Sequence, residues 1–327
     1  MTSPNKIVGR AMFILLATAA LAAADTTRPL PGTVNYVEGQ VTLNGENLPA
    51  PNAGPVAVET NQVLDTAQGK AELLLSPGVF LRLGEDAELR MVSSGAPAIA
   101  VEMVRGDSIL EVDQLLKGVG LSILMDGSTT DIAKQGLYVF GGDQRFIGVL
   151  DGEAIVHQGS AHVTLKKAHG AMLLSGKPLK SQKLDLALTE SHPLYIWSEL
   201  RSAYLAQANI QAAQDILAFG GSYDEGWYWD ASLDCFDFVP VDGIFYSSFG
   251  GSFYSPVTVS KAPPHPIRHP LPVHAPITKT LSASLSRATS GRAPAAPARS
   301  GGGSNSGHTG GSFGGGGGGH MGGGGRR

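Results

Sequence analysis

The chain has 327 residues, with 24 basic and 28 acidic side chains and a formal charge of −4. The charge is uneven: residues 1–260 carry 16 basic and 28 acidic groups, and every charged residue from Lys261 onward is basic. An acidic body excludes nucleic acid as the partner of the folded part, and a single cysteine, Cys235, excludes an intrachain disulfide.

The N-terminus comes first. Lys6 and Arg10 precede an uncharged run, Ala11 to Ala24, that stops at Asp25. Small residues at Ala22-Ala23-Ala24 suit signal peptidase, so residues 1–24 are expected to be a cleaved secretory signal peptide. Spanning a bilayer takes about 20 apolar residues, which this run does not reach. No later stretch is apolar enough to do so. The expected location is extracytoplasmic, periplasmic or secreted, with no stable membrane span after cleavage.

Residues 25–180 are expected to form a β domain. A short pattern recurs in it: glycine, then apolar or small residues at alternate positions. It begins at Gly39, Gly54, Gly69, Gly106, Gly120, Gly136, Gly152 and Gly170, with looser copies at Gly84 and Gly95. Alternation puts one set of side chains on a buried face, and glycine supplies turn conformations other residues reach only with strain. The pattern predicts a mainly β fold of repeated short strands, either solenoid-like or a sandwich.

Residues 189–221 change period. Trp197, Leu200, Tyr204 and Ala208 fall on one helical face, with Ser191 and Pro193 at the start and Gly220-Gly221 at the end. This predicts one amphipathic helix, docked on the β domain because its apolar face needs cover. Residues 222–260 are rich in aromatics and glycine and suggest a small β or loop module. Residues 261–327, Pro- and Gly-rich and basic, are expected to be disordered, having too few apolar residues to offset ordering.

A search for chemistry finds no nucleophile elbow, phosphate loop or zinc-protease motif. His157, His162 and His169 lie at spacings that fit no usual metal-ligand pattern. Catalytic residues, cofactor and metal are therefore all expected to be none, and the chain is expected not to be an enzyme. The candidate contacts for a ligand or partner are Trp227, Tyr228 and Trp229. Aromatic faces stack on sugar rings, and the competing expectation is that these rings form the core of the C-terminal module.

Several segments occur in a characteristic order: VNYVEGQVTL (34–43), LDTAQGKAELLL (64–75), PGVFLRLG (77–84), VRGDSILEV (104–112), GLYVF (136–140) and VLDGEAIV (149–156). In order and spacing they resemble the FecR-domain family of bacterial extracytoplasmic proteins. The resemblance implies a periplasmic β-rich sensing or interaction domain, with an envelope protein or polysaccharide as partner and no catalytic residues. In the founding type a cytoplasmic segment regulates a sigma factor across a membrane helix. Here only about ten residues precede the apolar run. Three functions follow as expectations: a secreted or periplasmic interaction scaffold, a membrane-anchored regulator of a sigma factor if residues 11–24 are retained, or carbohydrate or peptidoglycan binding through the aromatic module.

Overall fold

The computed structural model describes residues 29–48, 55–220, 223–230 and 232–261. The expected signal peptide (1–24), the copy of the repeat glycine at Gly54 and the expected disordered tail beyond Lys261 lie outside these residues.

The first strands are β1 (Thr33–Glu38), β2 (Thr42–Leu43), β3 (Glu46–Asn47), β4 (Val56–Ala57), β5 (Val63–Asp65), β6 (Lys70–Ser76), β7 (Val79–Leu83), β8 (Glu88–Gly95) and β9 (Ala98–Arg105). They continue as β10 (Asp107–Val112), β11 (Gly120–Met125), β12 (Ser128–Ile132), β13 (Gly136–Gly141), β14 (Phe146–Asp151), β15 (Glu153–Gln158), β16 (Ala161–Lys166), β17 (His169–Met172) and β18 (Gln182–Lys183). Helices α1 (Leu186–Glu190) and α2 (Pro193–Phe219) follow, then β19 (Gly226–Asp230), β20 (Cys235–Val239), β21 (Ile244–Tyr246), β22 (Ser252–Tyr254) and α3 (Pro256–Val259).

The fold is mainly β. Two nine-stranded sheets face each other: sheet A in the order β18-β17-β14-β13-β10-β7-β6-β1-β4, and sheet B in the order β16-β15-β12-β11-β9-β8-β5-β2-β3. Leu73, Leu81, Leu110, Phe140 and Ile147 of sheet A meet Leu64, Leu89, Val101, Ile123 and Val156 of sheet B in one continuous core. The architecture is a sandwich, yet the chain advances in the same direction along both sheets as it passes between them. That progression accounts for the solenoid-like repeat: Gly39, Gly69, Gly106, Gly120, Gly136 and Gly152 sit where the chain changes sheet, and Gly170 lies one residue inside β17 after such a change.

Two of these positions show why glycine is needed. Gly106 has φ +73°, and a Cβ there would lie 2.5 Å from Cα of Ala87. Gly152 has φ +95°, and its Cβ would lie 2.3 Å from Oη of Tyr138. Side chains disfavour positive φ, and at both positions the space for one is already filled.

The sheets differ in what covers them. Strands β9 and β11 of sheet B alternate between buried and part-exposed positions, the signature of one solvated face. Strands β6 and β7 of sheet A are buried at every position, because α2 and β19–β22 cover the outer face. Leu74 and Phe80 pack there with Leu205, Phe236, Phe238 and Phe253. Ile109, Leu137 and Leu150 pack with Leu194 and Trp197.

Helix α2 starts on Pro193 with His192 as N-cap and ends at Gly220 in the left-handed conformation, the pattern expected of Pro and Gly at helix ends. Its buried residues are Leu194, Trp197, Ser198, Arg201, Ser202, Leu205, Ala206, Ala208, Asn209 and Ala213. The expected amphipathic helix thus buries polar residues among its apolar ones. The reason is the surface beneath it, which carries charge.

Candidate functional site

Two features stand out on the outer face of sheet A: a buried charge network and an open cleft. The network begins with strand register. Glu72 on β6 is the direct cross-strand partner of Arg82 on β7, and Glu111 on β10 lies diagonally beyond. Arg82 donates from Nε to Glu72 Oε2 at 2.8 Å and from Nη1 to Glu111 Oε2 at 2.6 Å. Arg201 reaches down from α2 and donates to Glu72 Oε1 at 2.7 Å. Its guanidinium carbon also lies 4.0 Å from the centroid of the Tyr36 ring. Ser202 donates to Glu111 Oε1 at 2.7 Å, and Ser247 donates to the same oxygen.

The electrostatics follow from this geometry. Burial alone would raise the Glu72 carboxyl, but the guanidinium groups of Arg201 and Arg82 hold it down to about 2. Asp113 and Asp237 are also buried and lack such a partner, so desolvation pushes both well above the usual carboxylate range. Burial raises the Cys235 thiol to about 12. A free cysteine this buried is inert in the folded state.

Two asparagines complete the joint. The Asn35 amide accepts from Phe236 N at 2.7 Å and donates to Phe236 O at 3.0 Å, as a neighbouring strand would. Asn209 does the same for Tyr254, accepting at 2.6 Å and donating at 3.1 Å. Together these contacts tie β20 and β22 to the sandwich and to α2. This network joins elements, and its oxygens are engaged by protein.

The cleft lies at the N-terminal end of α2, where α1 and the first turn of α2 cross the outer face of β10, β13, β14 and β17. Its volume is about 430 Å³. Val139, Phe146, Met172, Leu188, Leu194 and Tyr195 give it apolar walls, and Asp107, Gln144, Thr189 and His192 make its polar end. The Phe146 ring forms the floor by lying over Gly148 and Gly170, where any Cβ would meet it at 3.1 Å or less. Those two glycines are register partners.

At the polar end, His192 Nε2 lies 3.5 Å from Asp107 Oδ2. The other ring nitrogen, Nδ1, accepts from Leu194 N at 3.3 Å as the helix N-cap, which leaves Nε2–H to point at the carboxylate. Asp107 Oδ1 is buried and has no hydrogen-bond partner among the described residues. Burial raises the Asp107 carboxyl, His192 opposes this and the charge of Asp143 adds to it.

The candidate residues of the aromatic segment divide. Trp227 packs edge-on to Phe80 and Phe238, with centroids 5.2 Å and 5.9 Å away. Tyr228 points to the opposite face of the strand, packs near Ala213 and Val259, and donates to Asp224 O at 2.6 Å. Trp229 is 47% exposed and rests edge-on against Phe236. One ring of the three therefore faces solvent broadly. His157 and His162 sit side by side across β15 and β16, and His169 lies apart on β17. Among the described residues no three His, Cys, Asp or Glu side chains are grouped to hold a metal ion.

Sequence reasoning did not single out Asp107 or His192. The sequence-level signal is weak: an acid directly after Gly106 at the start of a strand that also carries Ser108 and Glu111. Its partner belongs to a helix far along the chain, so only the fold brings the two together.

No family model matches this chain, and no curated protein matches it. Two crystal structures from Parabacteroides distasonis, each named a "putative anti-sigma factor", are similar to part of it, at 12% and 11% identity and TM-scores of 0.33 and 0.34. The similarity covers 38% and 39% of this chain, and the chain spans 60% and 65% of the length of those two structures. Likeness at this level does not establish a shared fold or role.

Proposed function

We propose that this protein is an exported, non-catalytic module of the bacterial cell envelope, of the FecR type, that acts as an interaction or sensing scaffold. The observation that carries this reading is the division of labour on sheet A. The buried charges are consumed in joining the helix and the C-terminal strands to the sandwich. The apolar cleft beside Asp107 is left open to solvent, as binding sites are. The export-type N-terminus and the ordered FecR-like segments, which run through β1, β6, β7, β10 and β13–β15, support the same reading. The partner is an envelope protein or polysaccharide, with nucleic acid excluded by the acidic body. Regulation of a sigma factor would additionally require residues 11–24 to remain as an anchor.

The test has two parts, both on the full chain made in a bacterial host. N-terminal sequencing of the mature protein should begin at Asp25, and a chain recovered with residues 11–24 intact favours the anchored regulator. A photo-crosslinking residue in place of Leu188 should then give a reproducible adduct with an envelope component in intact cells. Recovery of the protein in the cytoplasm, or no adduct, overturns the scaffold reading.

Carbohydrate binding is a second reading, favoured by the exposed Trp229 ring. Peptidoglycan binding that survives Trp229→Ala would sink binding through this ring.

A further inference from the structure

We propose that the cleft between sheet A and the α1–α2 corner binds a small amphiphile with a protonated amine head, the head held by Asp107 and the apolar body lying among Val139, Phe146, Met172 and Leu188. The inference rests on the reading of the chain as a sensing module and names the ligand chemistry of the same cleft.

The volume, about 430 Å³, lies within the usual range for small-molecule sites, roughly 300–1,000 Å³. The apolar walls come from two layers, sheet and helix. The Phe146 ring packs over Gly148 and Gly170, which leave room for it. Such a surface takes up a hydrocarbon chain or ring by burial of apolar area.

The head group is chosen by Asp107. His192 orients Oδ2 and leaves Oδ1 buried with no partner among the described residues. A buried acceptor without a donor is costly, and a donor supplied by a ligand would relieve it. The residue opposite Asp107 in the β10–β13 register is Gly141. A Cβ there would stand 3.5 Å from Oδ1 and would cover it. The Gln144 side chain lies over Gly141, its Oε1 2.4 Å from where that Cβ would be, and this flexible chain end is what the ligand head displaces to reach Oδ1.

Charge completes the choice. Asp107 feels Asp143 nearby, and His192, engaged as the helix cap through Nδ1, is the basic group set against it. With Asp107 ionised, this end of the cleft favours a cation over a carboxylate. An ammonium offers three donors and can satisfy Oδ1 while retaining water.

Three probes with the same chain separate head from tail: octylammonium, 1-octanol and octanoate. Each is titrated into full-length protein carrying 13C-methyl methionine, with the Met172 resonance assigned from Met172→Leu. Octylammonium should shift Met172 saturably and bind at least tenfold more tightly than the other two. Asp107→Asn should remove that preference and leave octanol unchanged. Gly141→Ala keeps the carboxylate but places a methyl over Oδ1, at the expense of a shift of the flexible Gln144 side chain. It should cause the same selective loss, and it keeps the test decisive where Asp107→Asn disturbs folding. Leu188→Ala, at an exposed wall residue, should weaken octylammonium and octanol alike. Equal affinity for the three probes, preference for octanoate, or no saturable shift at Met172 overturns the proposal. Failure of export sinks the scaffold reading without touching these affinities, and equal affinities sink the amine assignment without touching export.

Discussion

Arg201 of α2 donates to Glu72 of β6 at 2.7 Å, and neither side chain is more than 4% exposed. The two residues lie 129 positions apart. Their contact fixes the helix on the outer face of sheet A. A paired charge this deep is tolerated because Arg82 and Asn35 satisfy the remaining Glu72 oxygen positions. Removing one partner strands the other in a medium that cannot solvate it.

Arg201→Ala is therefore expected to lower unfolding stability by about 3–5 kcal/mol, measured by urea denaturation. The double change Glu72→Gln with Arg201→Met should cost less than the sum of the single changes. Cys235 gives an independent readout, since its thiol is fully buried beside Arg201. Its alkylation in native buffer should be negligible in the parent protein and accelerated in Arg201→Ala.

The pH dependence has two opposing parts. Glu72 is held at about 2 against an ordinary value of 4.5. A carboxyl depressed in the folded state stabilises above its ordinary value, and that contribution disappears as pH falls through the folded one. At about 1.4 kcal/mol per unit, Glu72 should contribute about 3 kcal/mol at neutral pH, lost between about pH 4.5 and 2. Chemical denaturation at a series of pH values reads this directly.

Asp237 has the opposite sign. Its carboxyl is raised by burial, so the fold favours the protonated form, and stability falls as pH rises above 3.8 toward the raised value. Asp237→Asn keeps the acceptor for Phe238 N, which now lies 2.8 Å from Oδ1. The variant should match the parent below pH 3.8 and be more stable at pH 7. A variant less stable at pH 7 would show that the Asp237 charge is retained and useful.

The aromatic pair should separate in one experiment. Trp227→Ala opens a hole against Phe80 and Phe238 and should cost about 3 kcal/mol. Trp229→Ala removes a ring that is 47% exposed and should cost no more than about 1 kcal/mol. Denaturation curves of both variants check this, and Trp229→Ala is the folded variant in which glycan binding can be judged.

Asn35→Ala leaves Phe236 N and O and one Glu72 oxygen without the side chain they bond. The expected cost is about 3 kcal/mol, from buried backbone groups left unpaired. Hydrogen exchange should show the Phe236 amide losing protection first.

Much of this fold is legible in the sequence because its causes are local. The glycine-led alternation gives strands, and Gly106 and Gly152 mark changes of sheet because backbone conformation and close approach both demand glycine there. Pro193 and Gly220 delimit α2 for equally local reasons. The buried network is half-legible. Glu72, Arg82 and Glu111 stand in the runs KAELLLS, VFLRL and DSILEV, where each is flanked by apolar residues on both sides in the strand, a hint of a second buried face. The hint does not say what lies above them.

By itself, then, the sequence determined the β class, the repeat and the ends of the long helix, since each depends on residues close in the chain. Only the tertiary structure decided that the repeats build two facing sheets, that α2 buries Arg201 and Asn209 rather than a purely apolar stripe, and that Asp107 meets His192 at the rim of a cleft. Those outcomes depend on register between strands and on contacts between residues far apart. Arg201 has no preference for Glu72 until β6, α2 and β20 are packed together, because only that packing removes the water that would otherwise solvate both charges.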